Sequence, residues 1–120
     1  MDFRKVAVWT VTIFVAAVFS FSGVDKIVHA QAWQQRFVAE WGLPAWLAVV
    51  TGLLEISGAA LLVVPRRATY GGAIVAAVMI GAVGTHVVAG QPAQIVTPLI
   101  LGSLAAFVAW YRCPWCRDAV

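Results

Sequence analysis

Residues 45–64 read AWLAVVTGLLEISGAALLVV, a run of twenty with a single charge, Glu55. A helix of roughly 20 mostly apolar residues crosses a bilayer core, with about 17–25 tolerated. Pro44 opens the run and Pro65-Arg66-Arg67 closes it. Proline suits a helix start or stop because it lacks the N–H and crowds the preceding turn. The stretch therefore predicts a transmembrane helix. Working outward, three further runs meet the same test: Val6 to Val24, Ala68 to Ala89, and Ile95 to Tyr111. Gly90-Gln91-Pro92 separates the last two.

The rest of the composition agrees. The chain is 62% hydrophobic and 11% charged, where a soluble domain carries about 25% charged residues. It could not cover its own surface with polar groups, so lipid is its solvent. Its 120 residues suffice for a single domain, 1–120, with residues 112–120 as a tail after the last span. No repeat, low-complexity stretch or interdomain linker interrupts it. The net charge of +3 does not point to nucleic acid, because no basic stretch gathers it; the charges sit in short loops, where they orient helices.

Between the first two spans, His29 to Leu43 differs. Ala30, Trp33, Phe37, Val38 and Trp41 recur at helical spacing, and Gln31, Gln34, Gln35 and Glu40 mostly fall elsewhere. This predicts a short amphipathic helix lying in the membrane interface. The fold class expected is an all-α membrane protein, a bundle of four transmembrane helices with that interfacial helix after the first.

Four spans place both termini on one side. Arg4, Lys5, Arg66, Arg67, Arg112 and Arg117 share that side, and Lys26 and Arg36 the other, six basic residues against two. The positive-inside rule then puts both termini in the cytoplasm. Trp9, Tyr70, Trp110, Tyr111 and Trp115 would mark the inner interface, and Trp33, Trp41 and Trp46 the outer. Arg4-Lys5, the apolar stretch and Ser20-Phe21-Ser22 also fit a secretory signal peptide, but the run is long and the cleavage site poor, which favours a retained span. Ala73, Ala77, Gly81 and Thr85 in the third span, and Gly102, Ala106 and Trp110 in the fourth, recur every four residues; small side chains at this spacing are expected to let helices pack closely.

Glu55 is the most informative single residue. It lies about ten residues into its span, roughly 15 Å at 1.5 Å per residue, near the midplane. An ionised carboxylate there costs a few kcal/mol or more, so it must face the bundle interior, find a partner or be protonated. Gly52, Glu55 and Ala59 share one face, so a neighbouring helix can come close beside the carboxyl. Candidate partners are Asp25 and Lys26 at the outer end of the first span and His86 near the outer end of the third. Together these four residues describe a polar pocket that binds a small molecule or passes protons; a Lys–Glu pair that fixes helix register is the plainer alternative.

The second candidate site is Cys113-Pro114-Trp115-Cys116, which holds both cysteines of the chain. A CxxC pair can form a short-loop disulfide and exchange it with other thiols. On the cytoplasmic side a permanent disulfide is disfavoured, which leaves a cycling dithiol or an inert pair that only packs. Zinc fits less well: a closed site needs four ligands, and His29 and His86 lie toward the opposite face. No metal site is expected.

The chain resembles the DoxX family of small four-helix bacterial membrane proteins. The resemblance runs through Phe21-Ser22-Gly23-Val24-Asp25-Lys26, then Gly42-Leu43-Pro44, then Gly52-Leu53-Leu54-Glu55-Ile56-Ser57-Gly58, and ends near His86, over about residues 4 to 90. It implies a bacterial inner membrane location and membrane-associated redox work, with thiosulfate and quinone chemistry in archaeal relatives and oxidative-stress complexes in some bacteria. Lys26 and Glu55 match the family's polar residues; the CPWC tail departs from its core pattern.

Two functions of different class follow. One is an integral-membrane redox protein, a component of an oxidoreductase. In it Cys113 and Cys116 exchange electrons with a cytoplasmic thiol or oxidative-stress partner, and the pocket holds a quinone or similar carrier. The other is a non-catalytic scaffold or accessory subunit of a larger membrane complex or homo-oligomer. Solute transport is a third class, disfavoured by the lack of an inverted repeat.

Overall fold

The computed structural model describes residues 2–118. Hydropathy fades at Val24 but the first helix does not: α1 runs Phe3–Val28. Asp25 and Lys26 interrupt an apolar run without breaking a helix, since their intrinsic cost there is only a few tenths of a kcal/mol. Asp2 caps the start, its carboxylate accepting the Arg4 N–H at 3.0 Å. After His29 the chain enters α2 (Ala30–Trp41). Gly42 ends it in the left-handed region, φ 65°, where a side chain would be strained. Then α3 (Trp46–Leu62) leaves at 115° to α2. α4 spans Ala68–Val88, a 3₁₀ turn covers Pro92–Ile95, and α5 spans Val96–Tyr111. A single further turn, α6, covers Pro114–Asp118.

The helices α1 and α4, and the 3₁₀ turn continued by α5, are each long and apolar enough to cross a membrane. The stretch that read as a twenty-residue span is shorter in the structure. Val63 and Val64 belong to the turn, and α3 keeps 17 residues, about 25 Å; only with α2, across the bend, does it pass as a span.

The four long helices form a ring. α1 packs on α3, α3 on α4, α4 on α5, and α5 returns to α1, while α2 lies against α3 and the end of α1. The dry core occupies the half of the ring next to the α3–α4 turn, where Val15, Phe19, Leu62, Val75 and Val108 meet around Ala59, Ala68 and Ala105. Across α4 and α5, Thr69 Oγ1 donates to the Ala109 carbonyl at 3.0 Å. The other half of the ring is not closed by side chains, and there the candidate site lies.

Candidate functional site

The site begins with two glycines. A Cβ placed on Gly23 would stand 2.6 Å from the Gly52 carbonyl oxygen, and one on Gly52 would stand 3.0 Å from that of Gly23. The backbones of α1 and α3 therefore touch, as only glycine permits. Three residues beyond each glycine, on the same helix face, comes a charge: Lys26 after Gly23 and Glu55 after Gly52. The crossing thus sets the two side chains against each other, with Lys26 Nζ 3.0 Å from Glu55 Oε1. Lys26 also donates to Ser22 Oγ at 2.7 Å and lies 4.6 Å from the centre of the Trp33 ring. The Lys26 and Glu55 side chains are 11% and 2% exposed. Glu55 Oε2 is buried and has no hydrogen-bond partner among the described residues.

Glu55 and Lys26 line a cavity of about 600 Å³ between α2, α3 and α4. Leu47, Leu54, Ile74 and Val78 give it apolar walls. Ala77, Gly81 and Thr85, expected to pack α4 against a neighbour, line it as well; a Cβ on Gly81 would meet nothing within 4 Å. Close packing of α4 falls instead to Gly71, whose Cβ would lie 2.6 Å from the Gly58 carbonyl, and to Gly72 against Ala105. Ala73 is exposed. The correction is physical: a small residue makes close contact only where a partner backbone arrives, and elsewhere it leaves space.

The amphipathic helix expected after the first span is α2. Of its apolar stripe, Trp33, Phe37 and Trp41 turn onto the bundle, while Val38 is exposed. Phe37 is buried and meets Trp33 and Trp41 edge to face at 6.5 and 5.0 Å; all three roof the cavity. Both tryptophans are anchored by their N–H groups. Asp25 Oδ2 accepts from Trp33 Nε1 at 2.9 Å, and Gln91 Oε1 accepts from Trp41 Nε1 at 3.1 Å. Arg36 stacks 5.1 Å and 5.3 Å from the Trp33 and Trp41 rings and pairs with Glu40 at 3.1 Å.

Of the four residues expected in one pocket, the structure brings together Lys26, Glu55 and His86 along the cavity wall and leaves Asp25 out. Asp25 faces the α1–α2 junction, where it also accepts from His29 Nδ1 at 2.9 Å. It acts on the cavity through Trp33. His86 donates from Nδ1 to Gln91 Oε1 at 2.9 Å and stands edge-on to Trp41 at 5.6 Å, so Gln91 holds His86 and the far end of α2 in one knot. Sequence reasoning did not find Trp33, Arg36, Trp41 or Gln91 as site residues. The spacing of Trp33, Phe37 and Trp41 was visible; the direction they face was not.

The cysteines stand at the other end of the molecule. Cys113 is buried, and its disulfide to Cys116 joins Cα atoms 5.3 Å apart. The Cys116 N–H donates to Cys113 Sγ at 3.2 Å. Trp115 rests on Tyr70 at 6.2 Å, and Arg112 lies 5.1 Å from the Trp9 ring. From Trp9 to Lys26 along α1 is about 26 Å at 1.5 Å per residue, so the two candidate sites do not touch. Among the described residues no three His, Cys, Asp or Glu side chains gather as a metal site.

The fold and site define an all-α membrane protein, a four-helix bundle with an ion pair inside it and an amphipathic helix across the cavity mouth. A sequence model of the DoxX-like family matches residues 10–108, and the chain belongs to that family. No curated protein and no solved structure matches the chain. The matched region includes Lys26, Glu55 and His86 and stops short of the CPWC turn.

Proposed function

We propose that this DoxX-like membrane protein binds a small lipid-phase molecule of the quinone class in the cavity under α2, as part of membrane-associated redox work. The observation that carries this reading is Glu55 Oε2, a buried acceptor without a partner that lines an apolar cavity. Buried polar groups are nearly always satisfied within the fold, and an exception calls for an explanation. A volume of about 600 Å³ lies within the roughly 300–1,000 Å³ of ligand pockets, which pair apolar and aromatic walls with a few convergent polar groups. A carrier of this class has an aromatic-sized ring for Trp33 and Trp41 and an oxygen for the Lys26–Glu55 pair. When bound it supplies the electron-carrying chemistry; the protein's own residues bind and orient it and exclude water.

The basic residues support an orientation. Arg4 and Lys5, the Arg66-Arg67 turn and Arg112 lie at the end of the bundle away from the cavity. In a bacterial inner membrane, the positive-inside rule would make that end cytoplasmic and open the cavity outward.

The test is a titration of the purified protein with a short-chain benzoquinone, read by quenching of Trp33 and Trp41. Gly81→Leu fills the cavity from a position with open space, whereas Gly84→Leu adds the same bulk at an open position outside it. Saturable quenching that is lost in Gly81→Leu and kept in Gly84→Leu is expected. Identical titration of all three proteins would overturn the reading.

A second reading is carried by the Cys113–Cys116 disulfide. It exchanges with a partner dithiol, which is oxidised as both sulfurs of the pair become thiols. Labelling with a maleimide–polyethylene glycol before and after reduction should change by two thiols per chain; no change under mild reduction would remove the exchange role.

A further inference from the structure

We infer that the cavity floor selects its ligand by a donated hydroxyl, so that the carrier is held in its reduced, hydroxyl-bearing form in preference to its carbonyl form. The inference rests on the reading of the cavity as a small-molecule site and adds a direction to it.

Donors and acceptors at the cavity floor are unequally engaged. The Lys26 ammonium has three N–H groups. Ser22 Oγ takes one at 2.7 Å and Glu55 Oε1 another at 3.0 Å, while the Trp33 ring lies 4.6 Å from Nζ. Two of the three floor donors are therefore engaged by oxygens. The acceptor Glu55 Oε2 is buried and unpartnered. A carbonyl ligand offers only lone pairs and would meet those of Oε2. A hydroxyl offers the proton that Oε2 lacks, and a hydrogen bond to a charged acceptor is among the strong ones.

The wall near the mouth is mixed in polarity, with the Gln94 amide in its lining, so the discrimination rests on the floor. His86 lines the cavity and gives its Nδ1 to Gln91 Oε1. Arg36 at the mouth donates from Nε to Glu40 and lies over the two indole rings, and its terminal amino groups remain donors there. Thr51, one turn above Glu55 on the cavity wall, can donate or accept and does not discriminate. A benzoquinol carries a hydroxyl at each end of its ring, so either end can present the proton that Glu55 Oε2 lacks. The preference expected is about ten- to a hundredfold in Kd, the range for one hydrogen bond to a charged group. For a two-electron carrier a tenfold preference for the reduced form raises its potential by about 30 mV.

The experiment uses the full chain in detergent or nanodiscs and two probe pairs. One pair is a decyl-substituted benzoquinol and its benzoquinone. The other is redox-inert, a long-chain alkylphenol and its methyl ether, and isolates the hydroxyl from any electron transfer. Tryptophan quenching gives Kd for each. The quinol and the phenol are expected to bind at least about tenfold tighter than their partners. Glu55→Gln should invert the quinol–quinone order and level the phenol–ether order, because its amide oxygen still accepts from Lys26 while its NH₂ stands where Oε2 was and donates to a carbonyl, a phenol or an ether oxygen alike; a melting curve checks that this isosteric variant is folded. Saturable binding with equal affinity within each pair, or with the carbonyl and ether forms preferred, overturns this inference and leaves the cavity reading standing. Absence of saturable binding by all four probes overturns both.

Discussion

Removing one partner of the Lys26–Glu55 pair should cost far more than removing both. Glu55 is 2% exposed in its side chain and Lys26 11%, and among the described residues each is the other's one charged partner in the site, with Ser22 and Trp33 beside the ammonium. At 3.0 Å and an effective dielectric constant of about 20, their attraction is about 5.5 kcal/mol, set against desolvation of several kcal/mol per ion. The net worth of the pair is therefore small, while the penalty for breaking it is not. Lys26→Met leaves a carboxylate buried with neither oxygen paired by a charge, and a loss of about 3–5 kcal/mol is expected. Glu55→Leu should cost less, because the lysine stem can carry its head group to the rim. The double variant Lys26→Met/Glu55→Leu should fall within about 1 kcal/mol of the parent, since an apolar pair of similar volume can replace a buried ion pair. Reversible unfolding in mixed micelles, followed by tryptophan fluorescence, gives all three values and closes the cycle. If Lys26→Met costs less than about 1 kcal/mol, or the two single losses simply add in the double variant, the pair is not the coupled, desolvated unit described above.

Other outcomes follow from other contacts. Gly23→Leu forces a side chain into the Gly52 carbonyl 2.6 Å from its Cβ, and overpacking of about 1–3 kcal/mol should appear as a lowered melting temperature with loss of probe binding. Gln91→Ala releases Trp41 and His86 together, so amide exchange of α2 should accelerate while that of α5 stays unchanged. Asp25→Asn weakens the hold on Trp33 and should shift the tryptophan emission without abolishing the fold. Replacing both cysteines by alanine removes a loop closed over a sequence separation of 3, a stability loss of about 2 kcal/mol on the chain-entropy estimate, measurable by the same unfolding assay.

The sequence made some of this legible for definite reasons. Glu55 stood out because one acid in an apolar run has few tolerable environments, and each of them is internal. The positions of the long helices followed from hydropathy and prolines. The end of α1 did not, because hydropathy records where lipid ends rather than where a helix ends, and Asp25 and Lys26 remain helical. Lys26 was legible as a partner, and in retrospect the matched spacing of Gly23 to Lys26 and Gly52 to Glu55 foretells their contact. The direction of α2 was not legible: Trp33, Phe37 and Trp41 make one stripe whether lipid or protein covers it. Ala77 and Gly81 were equally ambiguous, since a small residue permits either close packing or empty space and only the path of the neighbouring helix decides. Asp25 was drawn to the pocket by sequence proximity, yet one residue along a helix is a turn of about 100°, enough to send it to α2 instead.

The most direct test of the central claim is native mass spectrometry of the protein extracted from its own membrane, beside Gly81→Leu and Gly84→Leu. The account predicts a small apolar molecule retained by the parent and by Gly84→Leu and absent from Gly81→Leu, where the side chain fills the cavity under α2. The same adducts on all three proteins would contradict it, because the cavity would then hold nothing that depends on its volume.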